Sequence, residues 1–227
     1  MKSKSLIGTF GLLIVILSLL GVVYAHWSDV VTIEGTVHMG ELIVGILNNS
    51  VTHYETINGV PEAEFLPPAN KTWVANATIT LSDFETSVHH DPPETVAKKM
   101  TILMANAYPQ WDVHIEFMLK NAGTIPATYT KANLTGYDVT DGENLTWRQD
   151  LWYYNTTLKA WIWEGALVDP AGDIMNVRVV AYVPEDGQLE PCNCYLVCID
   201  VDFKQTAEEC HTYTFSVTFE FVQWNKA

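Results

Sequence analysis

Cys192, Cys194, Cys198 and Cys210 are the most reactive cluster in this 227-residue chain. An even, closely spaced set of cysteines predicts two disulfides in an oxidising compartment, with three possible pairings. If Cys194 to Cys198 is extended, those two residues lie about 13 Å apart, beyond the reach of a disulfide. Cys192 with Cys198 is disfavoured for the same reason. This leaves a Cys198–Cys210 bridge closing the turn before the last strand, and a strained Cys192–Cys194 loop. Zinc is the competing chemistry, since His211 adjoins Cys210. The Cys-x-Cys spacing does not match the usual zinc ligand pairs.

Other candidate ligands are scattered. His89-His90-Asp91 could hold a metal, and acidic groups that could take calcium occur at Asp138, Asp141 and Glu143, at Asp169 and Asp173, and at Asp200 and Asp202. None follows the EF-hand loop. There is no His-Glu-x-x-His, no Gly-x-Ser-x-Gly elbow and no phosphate-binding glycine loop. Cleavage after Ala25 would expose His26, whose amine and imidazole could chelate copper if His38, His53 or His114 came close. Trp152, Trp161 and Trp163, three of eight tryptophans, could stack on sugars or fill a core. The balance predicts no enzyme, and leaves calcium as the one cofactor still open.

The N-terminus carries an export signature. Met1-Lys2-Ser3-Lys4 is positive, Leu6 to Leu20 is apolar and uncharged, and Val23-Tyr24-Ala25 forms a cleavage site. The apolar run to Ala25 is about 20 residues, just long enough for a retained anchor. The polar, folding-competent sequence that follows favours cleavage, so the mature form is expected outside the cell without a membrane segment. Six Asn-x-Ser/Thr sequons, at Asn48, Asn70, Asn76, Asn133, Asn144 and Asn155, predict a glycosylated surface where the host has the machinery. The net charge of −15 argues against nucleic acid as a partner.

The elements that must position these residues read as β. Trp111, Val113, Ile115, Phe117 and Leu119 alternate with polar residues, as do Tyr213, Phe215, Val217, Phe219 and Phe221. Period two marks strands with one buried face. Weaker strands read at Thr72 to Leu81, Met175 to Val183 and Tyr195 to Phe203. Leu151 to Tyr154 and Lys159 to Trp163 form an expected aromatic hairpin. One flanking helix is predicted, because Asp91-Pro92-Pro93-Glu94 resembles a capped start and Val96, Met100 and Leu103 follow at helical spacing. The predicted fold is a jelly-roll-like β-sandwich spanning residues 41–227, after a signal peptide at 1–25 and an N-terminal strand at 26–40.

That strand places Val31, Ile33, Val37 and Met39 on one face, with Gly35 between them. At a free terminus it can pair with its own sheet or complete a neighbour's. Burying four such side chains is worth about 6–10 kcal/mol before ordering costs. Gly40 and Gly45 are expected to act as loose joints that let it swing out.

Two motifs resemble the TasA/camelysin family of secreted fibre proteins, which includes archaeal bundling pili and threads. One is the mature start Trp27-Ser28-Asp29 followed by Gly35-Thr36-Val37-His38-Met39-Gly40-Glu41-Leu42. The other is the turn Asn121-Ala122-Gly123-Thr124-Ile125-Pro126-Ala127 after an alternating strand. The resemblance implies a jelly-roll subunit that polymerises with copies of itself by donor-strand exchange into an extracellular filament. The alternatives are a monomeric adhesion or carbohydrate-binding module and, more remotely, a copper enzyme built on His26.

Overall fold

The computed structural model describes residues 12–15, 40–57, 60–61, 75–88, 92–170 and 172–226. The chain divides into two units, residues 1–39 and 40–227. In the first, only the short helical stretch 12–15 is described. No helix among the described residues is long and apolar enough to cross a membrane.

The second unit is all-β and antiparallel. Among the described residues its thirteen strands are β1 (Val44–Leu47), β2 (Thr52–Ile57), β3 (Val60–Pro61), β4 (Asn76–Ser87), β5 (Glu94–Ala107), β6 (Trp111–Asn121), β7 (Ala127–Asp138), β8 (Glu143–Asn155), β9 (Ala160–Asp169), β10 (Gly172–Ala181), β11 (Gln188–Leu189), β12 (Cys194–Phe203) and β13 (His211–Gln223). Hydrogen-bonded neighbours run β1-β5-β13-β7-β8-β9-β10-β12-β6, and β6 pairs again with β1. The nine strands form a closed barrel, where the sequence predicted a two-sheet sandwich.

Alternation explains why these segments become barrel staves. In β6, Trp111, Val113, Ile115, Phe117 and Leu119 are buried, while Asp112, His114, Glu116, Met118 and Lys120 are half-buried on the outer face. Facing strands send Trp163, Leu167, Met175, Val177, Val201, Phe203, Tyr213 and Phe215 into the same core. Aromatic rings fill one region of it: Trp111 stacks on Phe203 at 5.4 Å, and Phe203 lies 5.6 Å from Tyr213.

The predicted flanking helix is instead β5. Met100, Ile102 and Met104 alternate inward and are fully buried. β4 covers one edge of β5, while β13 and β1 share the other. The helical spacing of Val96, Met100 and Leu103 was coincidental, because Leu103 faces outward and Ile102 takes the core position. The residues are fair helix formers, but pairing on both edges and burial of one face outweigh intrinsic propensity. Pro92 and Pro93 serve to start the strand after the β4–β5 connection.

Closure depends on β1. Its Ile46 and Leu47 pair with Ala97 and Val96 of β5, and its Val44, Gly45 and Ile46 pair with Asn121, Lys120 and Leu119 of β6. Gly45 is not the loose joint expected from the sequence. A side chain there would meet the Ala97 carbonyl oxygen at 2.5 Å, so glycine is what allows β1 and β5 to approach.

The reassignment of β5 is testable by paired substitutions. Ile102→Asp, which puts a carboxylate into the core, is expected to cost at least about 4 kcal/mol in urea unfolding. Leu103→Asp on the outer face should cost less than about 1 kcal/mol. Equal costs at the two positions would contradict an alternating strand.

Candidate functional site

Asn121 is the innermost polar side chain of β6 and stands at a position where alternation calls for an apolar residue. Fully buried, it is also fully engaged. Its Nδ2 donates to the carbonyls of Ile125 and Leu189, both at 2.9 Å, and its Oδ1 accepts from Gly123 N–H at 3.0 Å. An asparagine supplies two donors and an acceptor in one plane, which a buried turn with unpaired carbonyls requires. The turn Asn121–Ala127 is thereby fixed against β11.

The fixed turn grips the chain that leads into β1. Ala122 N–H and Gly123 N–H donate to the Ile43 carbonyl at 2.7 and 3.1 Å, and Thr124 N–H donates to the Glu41 carbonyl at 2.9 Å. Glu41 N–H returns a bond to Thr124 Oγ1 at 2.8 Å. A side chain at Gly123 would lie 2.2 Å from the Glu41 carbonyl oxygen, so this contact demands glycine. The Gly40-Glu41-Leu42 step and the Asn121–Ala127 turn, distant in sequence, therefore meet as a clasp.

Beside the clasp, pairing among the described residues leaves the end of β13 with a partner on one side only. β13 pairs with β7 along its length from Tyr213 to Gln223, but with β5 only as far as Val217. Between the free edge of Thr218–Gln223 and the strand entering β1 lies a groove of about 330 Å³. Leu42, Val44, Lys98, Phe219 and Phe221 line it. Phe219 and Phe221 are only half-buried, and they pack inward on Tyr129 at 6.2 and 5.6 Å. Lys98 spans the groove's edge, donating from Nζ to the Val44 carbonyl at 2.8 Å and pairing with Glu85 at 2.7 Å. Burial pushes the Tyr129 hydroxyl well above its ordinary value, and Glu220 adds to the shift, so it stays neutral. An apolar floor beside an unpaired main-chain edge is what an added β-strand uses.

The remaining predicted residues are placed as follows. The proposed donor positions Val31, Ile33, Val37 and Met39, together with His26, His38, Asn70, His89, His90 and Asp91, lie outside the described residues. Asn48, Asn76, Asn133 and Asn144 are exposed, whereas Asn155 is half-buried and its Oδ1 accepts from Thr157 and Leu158 N–H at 3.0 Å.

All four cysteine thiols are free. The expected Cys198–Cys210 bridge is not formed, because Cys198 sits mid-strand on the outer face, paired with Val180 and Glu116. Cys210 lies beyond the loop after β12, where its N–H bonds the Ala107 carbonyl at 3.0 Å. The expected Cys192–Cys194 loop is likewise unbridged, with both thiols exposed before and at the start of β12.

The acidic pairs are largely occupied. Asp138 caps Thr140 and Asp141 N–H and meets His211 Nδ1 at 3.0 Å, a contact that raises the His211 pKa. Asp138, Asp141 and His211 do come together, without Glu143. Asp169 accepts from Gly172 N–H, while Asp173 pairs with Arg148. Asp200 contacts His114 and Asp202 accepts from Asn176. His53 and His114 lie on opposite faces of the β2–β6 ladder, since Tyr54 is the residue opposite His114. They cannot both serve one copper ion. In the β8–β9 hairpin Trp163 is core, Trp161 half-buried with its Nε1 donating to the Pro184 carbonyl at 3.1 Å, and Trp152 is 51% exposed.

No known protein family, curated protein or solved structure matches this chain.

The sequence reading missed the clasp and the open seam. The signal for the first was available: a lone asparagine at the inward end of a strict alternation. The second depends on where two strands stop pairing, which no local pattern encodes.

Removing the clasp's central side chain by Asn121→Ala takes the amide donor from the Ile125 and Leu189 carbonyls, and should cost about 3 kcal/mol or more in urea unfolding. Gly123→Ala should strip hydrogen-exchange protection from the amides of Ala122, Gly123 and Thr124 while the centre of β6 stays protected. Unchanged protection at those three amides would refute the clasp.

Proposed function

We propose that this protein is the structural subunit of an extracellular filament, in which residues 26–40 of one copy complete the barrel wall of the next. The observation that supports this reading is the seam: an edge at Thr218–Gln223 that has no strand partner on that side among the described residues, with half-buried Phe219 and Phe221 beneath it. The segment that would fill such a seam enters the barrel at Gly40, two residues before Leu42, which lines the groove. Val31, Ile33, Val37 and Met39 would face the phenylalanines, and the donor main chain would bond the free edge.

Several expectations belong to the same proposal. Residues 1–25 would be removed as a signal peptide, and exposed sequon asparagines would sit on the fibre surface. The jelly-roll description implied by the family resemblance is retained, supported as far as the antiparallel all-β strand order. The protein is proposed to be non-enzymatic, with other copies of itself as its partners.

A second reading, a monomeric carbohydrate-binding or adhesion module, draws on the exposed Leu151, Trp152 and Tyr153. Trp152 is held 16° from coplanar with Trp163 at 6.5 Å, a platform suited to a sugar ring. We favour the filament because the platform explains neither the seam nor the strand-like N-terminus.

Electron microscopy of secreted protein separates the two readings. The filament reading predicts fibres from the mature chain and soluble monomers from a chain beginning at Gly40. A peptide of residues 28–39 should then bind that truncated protein and raise its melting temperature. Ile33→Asp should block polymerisation more than Thr32→Asp, because only one face of the donor enters the groove and a buried carboxylate costs several kcal/mol. Fibres from the truncated chain, or equal effects at the two positions, would refute strand donation.

A further inference from the structure

His114, Glu116 and Cys198 form a cluster on the outer face of the barrel, away from the clasp and the seam. The register of β6 and β12 sets Cys198 directly opposite Glu116, and Asp200 directly opposite His114. One ligand atom from each of His114, Glu116 and Cys198 falls within 4.8 Å of the other two. From this geometry we propose a mononuclear site for a zinc-class divalent transition metal, bound by His114 Nε2, a Glu116 carboxylate oxygen and Cys198 Sγ.

Three features distinguish the cluster from a chance gathering of charges. The first is the ligand set. Imidazole, thiolate and carboxylate together suit zinc or cobalt(II), and do not suit calcium or magnesium. The second is the hydrogen bond from His114 Nδ1–H to Asp200, which fixes the ring so that Nε2 points toward Glu116, 3.1 Å away. A carboxylate behind a ligating histidine is the usual orienting partner in metal sites. The third is the surrounding wall. Cys198 is buried, packed with Ala160, Ile162, Val180 and Leu196, and Tyr54 lies against the imidazole at 4.6 Å between ring centroids.

Tetrahedral bonds of about 2.0–2.3 Å hold ligand atoms about 3.3–3.8 Å apart, so small side-chain rotations would close the cluster onto an ion. Three protein ligands leave a fourth position for water or an incoming group. It would open to the side where His114 and Glu116 side chains are 19% and 45% exposed. Asp200 also lines an adjacent cavity of about 490 Å³ with Glu164, Arg178 and Asp202, which gives a ligand room to approach. The bland alternative is an imidazolium bridging two carboxylates with a bystander thiol. The inference does not depend on the filament reading.

Cobalt(II) titration of the full chain distinguishes these. Cys192, Cys194 and Cys210 are first replaced by Ser, so that Cys198 is the sole thiol. The site predicts one cobalt per chain, with tetrahedral d–d bands and a thiolate-to-cobalt charge-transfer band that zinc displaces. Cys198→Ser should abolish the charge-transfer band, and His114→Ala should abolish stoichiometric binding. Asp200→Asn, which keeps all three ligands, should weaken affinity about 10–100-fold. Circular dichroism checks that each variant is folded. No charge-transfer band in the folded parent, or a band that survives His114→Ala, would overturn the proposal.

Discussion

The barrel depends on a four-residue strand bonded on both sides. β1, only Val44–Leu47, is the one strand among the described residues that links β5 to β6, and so the piece that turns an open sheet into a ring. A strand this short has little hydrogen bonding or area of its own. It is held by fully buried Ile46, by the close approach that Gly45 permits, and by the clasp that grips Glu41–Ile43 just upstream. Without those contacts β5 at Val96–Ala97 and β6 at Leu119–Asn121 would lose their shared strand partner, leaving short edge segments open to association.

The same constraint sets where the chain can reach outward. The clasp holds Glu41–Ile43 in place, and Leu42 within it lines the groove at the seam. The net charge of −15 makes subunits repel at long range. In the proposed filament, association would be carried by short-range terms, main-chain bonds along an edge and apolar side chains in a groove, which screening by salt only helps. Lys98, anchored at the groove's rim by Glu85 and the Val44 carbonyl, is one of only 12 basic residues and keeps the acidic chain locally neutral there.

Much of the fold was legible in the sequence, and the failures have physical causes. The strict alternations of β6 and β13 and the expected strands near β4, β10 and β12 appear where the pattern put them, with boundaries moved by a few residues. β5 was misread because Pro-Pro-Glu before a Met-rich, Lys-containing run satisfies local helix rules. Only the neighbouring strands make it extended. β1 was illegible, since four residues with a glycine carry no period. The thiols were misassigned because the extended geometry of Cys194–Cys198 was right but the position of Cys210 relative to β12 was not. Asn121 was noticed as part of a motif without its role, which needs the Leu189 carbonyl, 68 residues away, to be seen. The pairing of His114 with Asp200 and of Cys198 with Glu116 likewise rests on long-range register.

A cryo-EM map of the assembled fibre tests the account most directly. The seam beside Thr218–Gln223 should contain an extended strand, with Ile33 and Val37 against Phe219 and Phe221. That strand should trace to a different copy from the barrel it completes. A strand that traces back to its own barrel through Gly40, or a seam left empty within an ordered fibre, would contradict donation between subunits.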